Sequence, residues 1–173
     1  VGAGATAYRT ASASRLVSEV RLGLVRGNAS EVLALARSGA ATRGVDAAHG
    51  VDEASAAAAG LARELGSAVA VTGATDLVTT GRRSVRVASG HPLLTRVTGT
   101  GCAATMVAAA FLAVGEEPLL DAAAGLLTLG LAAELAAQSA RGPGSFQVAL
   151  LDALAEIGPE NLATAGRLSE VVA

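Results

Sequence analysis

Apolar and polar positions along the chain switch between helical and strand spacing, and the switches mark out a series of elements. In SASRLVSEV, Leu16, Val17 and Val20 fall on one helical face, while the short Gly-bounded run LGLVRG predicts a buried strand. NASEVLALARSG returns to helical spacing, with Asn28 or Ser30 able to cap it and Glu31 in its first turn. DEASAAAAGLARELG predicts a further helix and SAVAVTG a second buried strand ending at a glycine. DLVTTGRRSVRVAS reads as a strand, a turn at Gly81 and a returning strand in which Val85 and Val87 alternate with Ser84 and Arg86. Three helical segments then close the chain, beginning near Thr100, Leu119 and Phe146, with breakers at Gly115, Pro118 and the GPGS of Gly142 to Ser145, whose Ser145 can cap the last helix. The stripe Leu119, Ala122, Leu126, Leu129 and Ala133 reads as core, as do Phe146, Leu150 and Leu154.

This order of elements predicts an α/β layered fold, with helices flanking a mostly parallel central sheet. No repeat, charge block or Pro-rich linker divides the chain, so residues 1–173 read as a single domain. Open parallel sheets bind ligands beyond the carboxyl ends of their strands. VRGN, VTG and VTGTGC all fall at such ends or at helix starts.

Composition narrows the chemistry. A chain of 173 residues, 51% hydrophobic and with a net charge of -2, suits one soluble globular domain and carries neither a basic nucleic-acid footprint nor an acidic tail. All thirteen cationic residues are Arg. Without Lys there is no lysine Schiff base and no GxxxxGK[ST] phosphate loop, so phosphates fall to Arg, backbone amides or a metal. Two Phe and no Trp argue against base stacking as a binding device. A single Cys cannot form an internal disulfide, and His49 and His91 stand apart with no Cys cluster, so we expect a reducing cytoplasm and no structural zinc. VGAGATAYRT lacks both the charged start of a signal peptide and an initiator Met. The apolar stretch from Leu119 to Ala137 approaches bilayer length, but Asp121, Glu134 and its many Ala and Gly residues favour a buried helix, and no membrane partner is expected.

Three places can carry chemistry. In VTGTGC, Gly99, Thr100 and Gly101 can form an anion-binding nest at a helix start, with Cys102 in the first turn, placed to accept or orient the proton of an attacking hydroxyl during phosphoryl transfer. A lone Cys is nevertheless more often a small buried hydrophobe. In LVRGNASE, Arg26 can reach a phosphate and Glu31 can hold a metal or its water; taken alone, Glu31 reads first as a capping residue, and the Asn28-x-x-Glu31 spacing gains weight only in company. In AVAVTGATDLV, the hydroxyl of Thr72 can bond a phosphate, and Asp76 reads as a turn or strand-edge residue. His91 and Arg96 flank the nest, and His91 reads as structural.

In this order, VGAGATAYRT, LVRGNASE, VAVTGATDLV, GHPLLTRVTGTGC and GPGSFQVALLDAL resemble the hydroxyethylthiazole kinase family, ribokinase-like enzymes of thiamine salvage. The resemblance runs from Val1 to about Leu154, and GHPLLTRVTGTGC is its most specific element. It implies a ribokinase-like fold, phosphorylation of the primary alcohol of a methyl-hydroxyethyl-thiazole by ATP with magnesium, and a homotrimer with active sites at subunit boundaries. By matching motif it implies that Arg26 and Thr72 contact ATP phosphates and that Asn28 and Glu31 arrange magnesium and its waters. Gly99 would lie beside the substrate alcohol, and Cys102, supported by Gly99, Thr100 and Gly101, would stand where related sugar kinases carry a basic Asp. It further implies an N-terminal part of the domain before the equivalent of Val1, holding an acidic residue, a Pro and much of the thiazole pocket, so the expectation is an incompletely represented protein. Two alternatives stay open: a related kinase for a pyrimidine, pyridoxal-type or sugar alcohol, against which Cys102 in place of Asp argues, and a nucleotide-binding fragment without catalysis. The Gly-Ala-Gly at Gly2 to Gly4 does not make a dinucleotide fingerprint, since no strand precedes it and no acidic residue follows at the required distance.

Overall fold

The computed structural model describes residues 2–38, 50–165 and 167–171. Helix α1 (Ala7–Glu19) leads into strand β1 (Leu24–Asn28) and helix α2 (Ala29–Ser38). Helix α3 (Val51–Leu65) precedes strands β2 (Ala68–Thr72), β3 (Asp76–Thr79) and β4 (Ser84–Val87). A 3-10 turn (Pro92–Arg96) then opens a helical run of α4 (Thr100–Val114), α5 (Pro118–Ser139), α6 (Pro143–Glu156) and α7 (Pro159–Ala165), and strand β5 (Leu168–Val171) ends it. His49 lies outside the described residues.

The five strands form one sheet in chain order, β1-β2-β3-β4-β5, and it is mixed rather than mostly parallel. Among the described residues only β1 and β2 run parallel, from Leu24 opposite Ala68 to Asn28 opposite Thr72. The other three pairings, β2 with β3, β3 with β4 and β4 with β5, are antiparallel. Connection length explains the first two of these antiparallel pairings. A parallel return needs a long crossover, which β1 and β2 have, whereas the short turn after Thr72 and the Gly81 turn can only join antiparallel neighbours. Gly81, at φ 84°, adopts the left-handed conformation that such a turn requires.

Strand β2 is buried along Ala68–Val71 because helices cover both faces of the sheet. Val69, Val71 and Leu77 pack with Val32, Leu33 and the Ala54, Ala58 and Leu61 face of α3. Ala70, Val78, Val85 and Val87 point the other way, into a core built on α5 and α6. The predicted stripe of Leu119, Ala122, Leu126, Leu129 and Ala133 is buried throughout, as are Phe146 and Leu150. Helix α5 is long and apolar enough to cross a membrane by length and composition, but α4, α6 and the sheet enclose it as a core helix.

Three expectations need correction. Helix α1 forms where expected but buries none of its residues fully: of the shared face only Val17 meets the core, beside Ala13, while Leu16 and Val20 are 58% and 48% exposed. After the three anticipated closing helices come α7 and β5, which pairs with β4 from Val171 opposite Ser84 to Leu168 opposite Val87. The last long helix begins at Pro143, and Ser145 serves it from inside the first turn, accepting from the Arg141 and Gly142 N–H groups at 2.9 and 3.3 Å.

Small residues set how closely these layers approach. A Cβ at Gly125 of α5 would lie 2.5 Å from the Cα of Ala108 in α4, a backbone atom that cannot step aside. Gly125→Ala is therefore expected to force α4 and α5 apart and destabilise the fold by about 1–3 kcal/mol. An unchanged urea midpoint would show that this contact does not set the spacing.

Candidate active site

The carboxyl ends of the single parallel strand pair bring the first group of predicted residues together. Arg26 Nη1 donates to Thr72 Oγ1 at 2.9 Å, and that hydroxyl donates to the carbonyl of Gly27 at 3.3 Å. Arg26 Nε is buried without a partner, so the guanidinium retains unspent hydrogen-bonding capacity beside the strand ends. Gly101 presses on the same group: a Cβ there would lie 2.9 Å from Arg26 Nη2. Glycine at this point lets the first turn of α4 close on the cation.

Asn28 and Glu31 form a reciprocal cap at the start of α2. Asn28 Oδ1 accepts from the Glu31 N–H at 2.9 Å, and Glu31 Oε2 accepts from the Asn28 N–H at 2.9 Å. Ser30 Oγ adds a 2.8 Å bond to Asn28 Oδ1, and Glu31 Oε1 accepts from the Gly2 N–H at 2.6 Å. Gly27 makes room for this carboxylate, since its Cβ would come 3.0 Å from Glu31 Cβ. Among the described residues no group of three His, Cys, Asp or Glu side chains gathers as a metal cluster.

At the start of α4, Gly99 has φ 94°, a conformation that a side chain would strain, and no side chain caps the helix. Nothing lies within 4 Å of the position of its missing Cβ. Cys102 is a free, exposed thiol in the first turn rather than a buried hydrophobe. The side chain of Thr100 is committed elsewhere: its hydroxyl donates to the carbonyls of Leu94 and Val97 at 2.8 and 3.2 Å, tying α4 to the preceding 3-10 turn. His91 is structural, as expected, since its Nδ1 accepts from the Leu93 N–H at 3.3 Å and its ring stands 6.3 Å from that of Phe146.

An open cleft of about 470 Å3 lies over the strand ends, walled by Asn28, Ser30, Val51, Thr72, Gly73 and Arg86 among others. Arg26, Glu31, Gly99 and Cys102 are not part of its lining; Arg26 meets it through the hydroxyl of Thr72 and meets the start of α4 through Gly101. Arg86 and Asp52, ion-paired across the cleft, escaped sequence reading because 34 residues separate them and neither carries a local signal.

A family model describing the hydroxyethylthiazole kinase family matches residues 1–160. The chain belongs to the hydroxyethylthiazole kinase family. It is 51% identical over 170 residues to the hydroxyethylthiazole kinase of Desulfotalea psychrophila, covering 98% of this chain and 62% of that protein. The corresponding protein of Moorella thermoacetica is 49% identical over 163 residues, 94% of this chain and 61% of its own. A solved hydroxyethylthiazole kinase from Pyrococcus horikoshii superposes with a TM-score of 0.88 at 41% identity, covering 99% of this chain and 63% of that one. The chain thus spans about three fifths of the length of the curated relatives it matches.

Within this member of the hydroxyethylthiazole kinase family, Asp76 is more than the turn or strand-edge residue its position suggests. Its Oδ1 accepts from the Gly73 N–H at 2.8 Å and closes the turn that walls the cleft. Burial pushes its carboxyl group up to about 6 from 3.8, against the opposing pulls of the Gly73 hydrogen bond and the Arg26 charge. The folded state therefore holds this proton more tightly than the unfolded state. The resulting stabilisation is complete below pH 3.8 and is lost as pH rises through about 6. Asp76→Asn, which avoids burying the charge, is expected to gain stability relative to the native protein by on the order of 2 kcal/mol at pH 7.5 and to lose that gain near pH 4. Denaturation midpoints across this range test it; parallel pH profiles for the two proteins would contradict it.

Proposed function

We propose that the protein phosphorylates the primary alcohol of hydroxyethylthiazole at the expense of ATP, as a kinase of thiamine salvage with a single ribokinase-like domain. One observation carries this reading: Arg26, Thr72 and the glycine-led start of α4 converge at the carboxyl ends of β1 and β2 in a chain of this family. Arg26 and Thr72 bind the ATP phosphates, and the uncapped amides of the α4 start hold charge that develops on the transferred phosphoryl group. The open space beside Gly99 receives the alcohol. The alcohol oxygen forms a bond to the γ-phosphorus, the bond to the β–γ bridging oxygen breaks, and ADP leaves with its electron pair. Cys102 accepts, or orients, the alcohol proton, a role its exposed place in the first turn of α4 supports.

Asn28 and Glu31 fit magnesium by donor type, since both offer oxygen and magnesium is held through one or two carboxylates, its own waters and substrate phosphates. Their capping bonds leave lone pairs on the carboxylate for such a water. Bound there, magnesium would neutralise phosphate charge. The reading extends to a cytoplasmic homotrimer; the uncovered apolar surface around Cys102 and Met106, which is 68% exposed, supports a site closed by a neighbouring surface.

Mass spectrometry of the protein with ATP, magnesium and a panel of thiazole, pyrimidine and sugar alcohols is expected to show a phosphorylated thiazole. Phosphorylation of another alcohol alone would reassign the substrate, and no product would refute the kinase reading. Cys102→Ala is expected to lower kcat by roughly 100-fold or more, and undiminished turnover would remove Cys102 from proton handling. Gly101→Ala meets only the mobile end of Arg26, so it should raise KM for ATP with little change in Tm. A normal KM would argue against Arg26 as a phosphate ligand.

A further inference from the structure

The last ladder pair joining β2 to β3 is Val71 with Leu77, so the residues from Thr72 to Asp76 turn without strand pairing between them. Three of them, Gly73, Ala74 and Thr75, together with Thr72, wall the cleft at the strand ends. Two restraints act on this turn from different sides. Gly73 abuts the start of α3, where a Cβ would lie 2.6 Å from Val51 Cγ2, and the Asp76 carboxylate accepts the Gly73 N–H from below at 2.8 Å. Asp76 is itself anchored, since it opens β3 opposite Val87 of β4. Thr72, adjoining the restrained Gly73, is the residue whose hydroxyl joins Arg26 to the Gly27 carbonyl.

We infer that Asp76 is a positioning residue of the phosphate cleft: by accepting the Gly73 N–H it fixes the Thr72–Thr75 turn in the shape that receives the nucleotide phosphates. The inference rests on the nucleotide reading of the cleft given above. Asp76 does not touch the ligand; it acts through Gly73. Its negative charge, which faces Arg26, works against a phosphate approaching the same cation, while its hydrogen bond works in favour of binding. These opposed effects can be separated. Asn retains an acceptor at the same reach and removes the charge, whereas Ala removes both.

The test measures ATP affinity by calorimetry in the presence of magnesium, so that a wrong alcohol assignment does not enter the comparison. Asp76→Asn should bind ATP at least as tightly as the native protein, and Asp76→Ala roughly tenfold more weakly than Asp76→Asn. Equal affinities for the two variants would overturn the inference, because loss of the hydrogen bond would then cost nothing. Weaker binding by both variants to the same extent would overturn it as well, by assigning the effect to the charge. A native protein that binds no ATP would overturn the nucleotide reading and this inference together. Thermal denaturation of both variants separates loss of fold from loss of site, and if Asp76→Ala does not fold, Asp76→Ser, too short to reach Gly73, takes its place with the same expected weakening.

Discussion

A guanidinium cannot shed its charge, so wherever a fold encloses one its donors must be answered or left for a ligand. Arg26 is in that position. It sits two residues from the end of β1, where the parallel register places Asn28 opposite Thr72, and only its Nη1 bond to Thr72 holds it in line with β2. The geometry around it follows from that placement. The Thr72 hydroxyl is shared between the cation and the Gly27 carbonyl, Gly101 leaves the guanidinium room beside the start of α4, and the Asp76 bond to Gly73 restrains the turn after Thr72.

The small-residue composition serves the same end. An Ala- and Gly-rich core lets helices lie closer to each other and to the sheet than branched side chains would allow, and the contact of Gly125 with the Ala108 backbone sets the separation of α4 from α5. Helix α4 carries the glycines and the thiol of the candidate site, and α5 lies between α4, the sheet and α6. Close packing in the core is therefore also what aims the start of α4 at Arg26, some distance from the residues that do the packing.

Much of this was legible in the sequence, because it depends on local spacing. The α5 stripe, the Gly81 hairpin and the cap formed by Asn28 and Glu31 each use residues within a few positions of one another, where periodicity and capping chemistry carry the signal. What was misread depends on distance along the chain. The strand β5 pairs with β4 across about eighty intervening positions, and the ion pair of Arg83 with Glu170 spans 87, so no local pattern announces which edge a late strand will join. The direction of β3 against β2 follows a related rule: buried strands look alike whichever way they run, and the short turn at Gly73 to Thr75 dictates the antiparallel return. Thr100 shows a finer limit, since spacing alone could not tell that its hydroxyl ties α4 to the 3-10 turn.

The two halves of the candidate site differ physically, and the difference bears on how the site works. The half at the ends of β1 and β2 is framed by those strands, the capped start of α2 and the start of α3, and Thr72, Asn28, Glu31 and one nitrogen of Arg26 already have partners that fix their direction. Groups fixed in advance do not have to be ordered when a charged ligand arrives, which is the condition under which oriented dipoles and cations stabilise developing charge most effectively. The half around Gly99 and Cys102 is open, with free space beside the glycine and an exposed thiol on a helix that carries no charged residue. Solvent screens the field at the start of a helix. For Cys102 to handle a proton efficiently, water must be excluded around it, and within this chain that condition falls on whatever covers α4 rather than on the residues at the ends of β1 and β2.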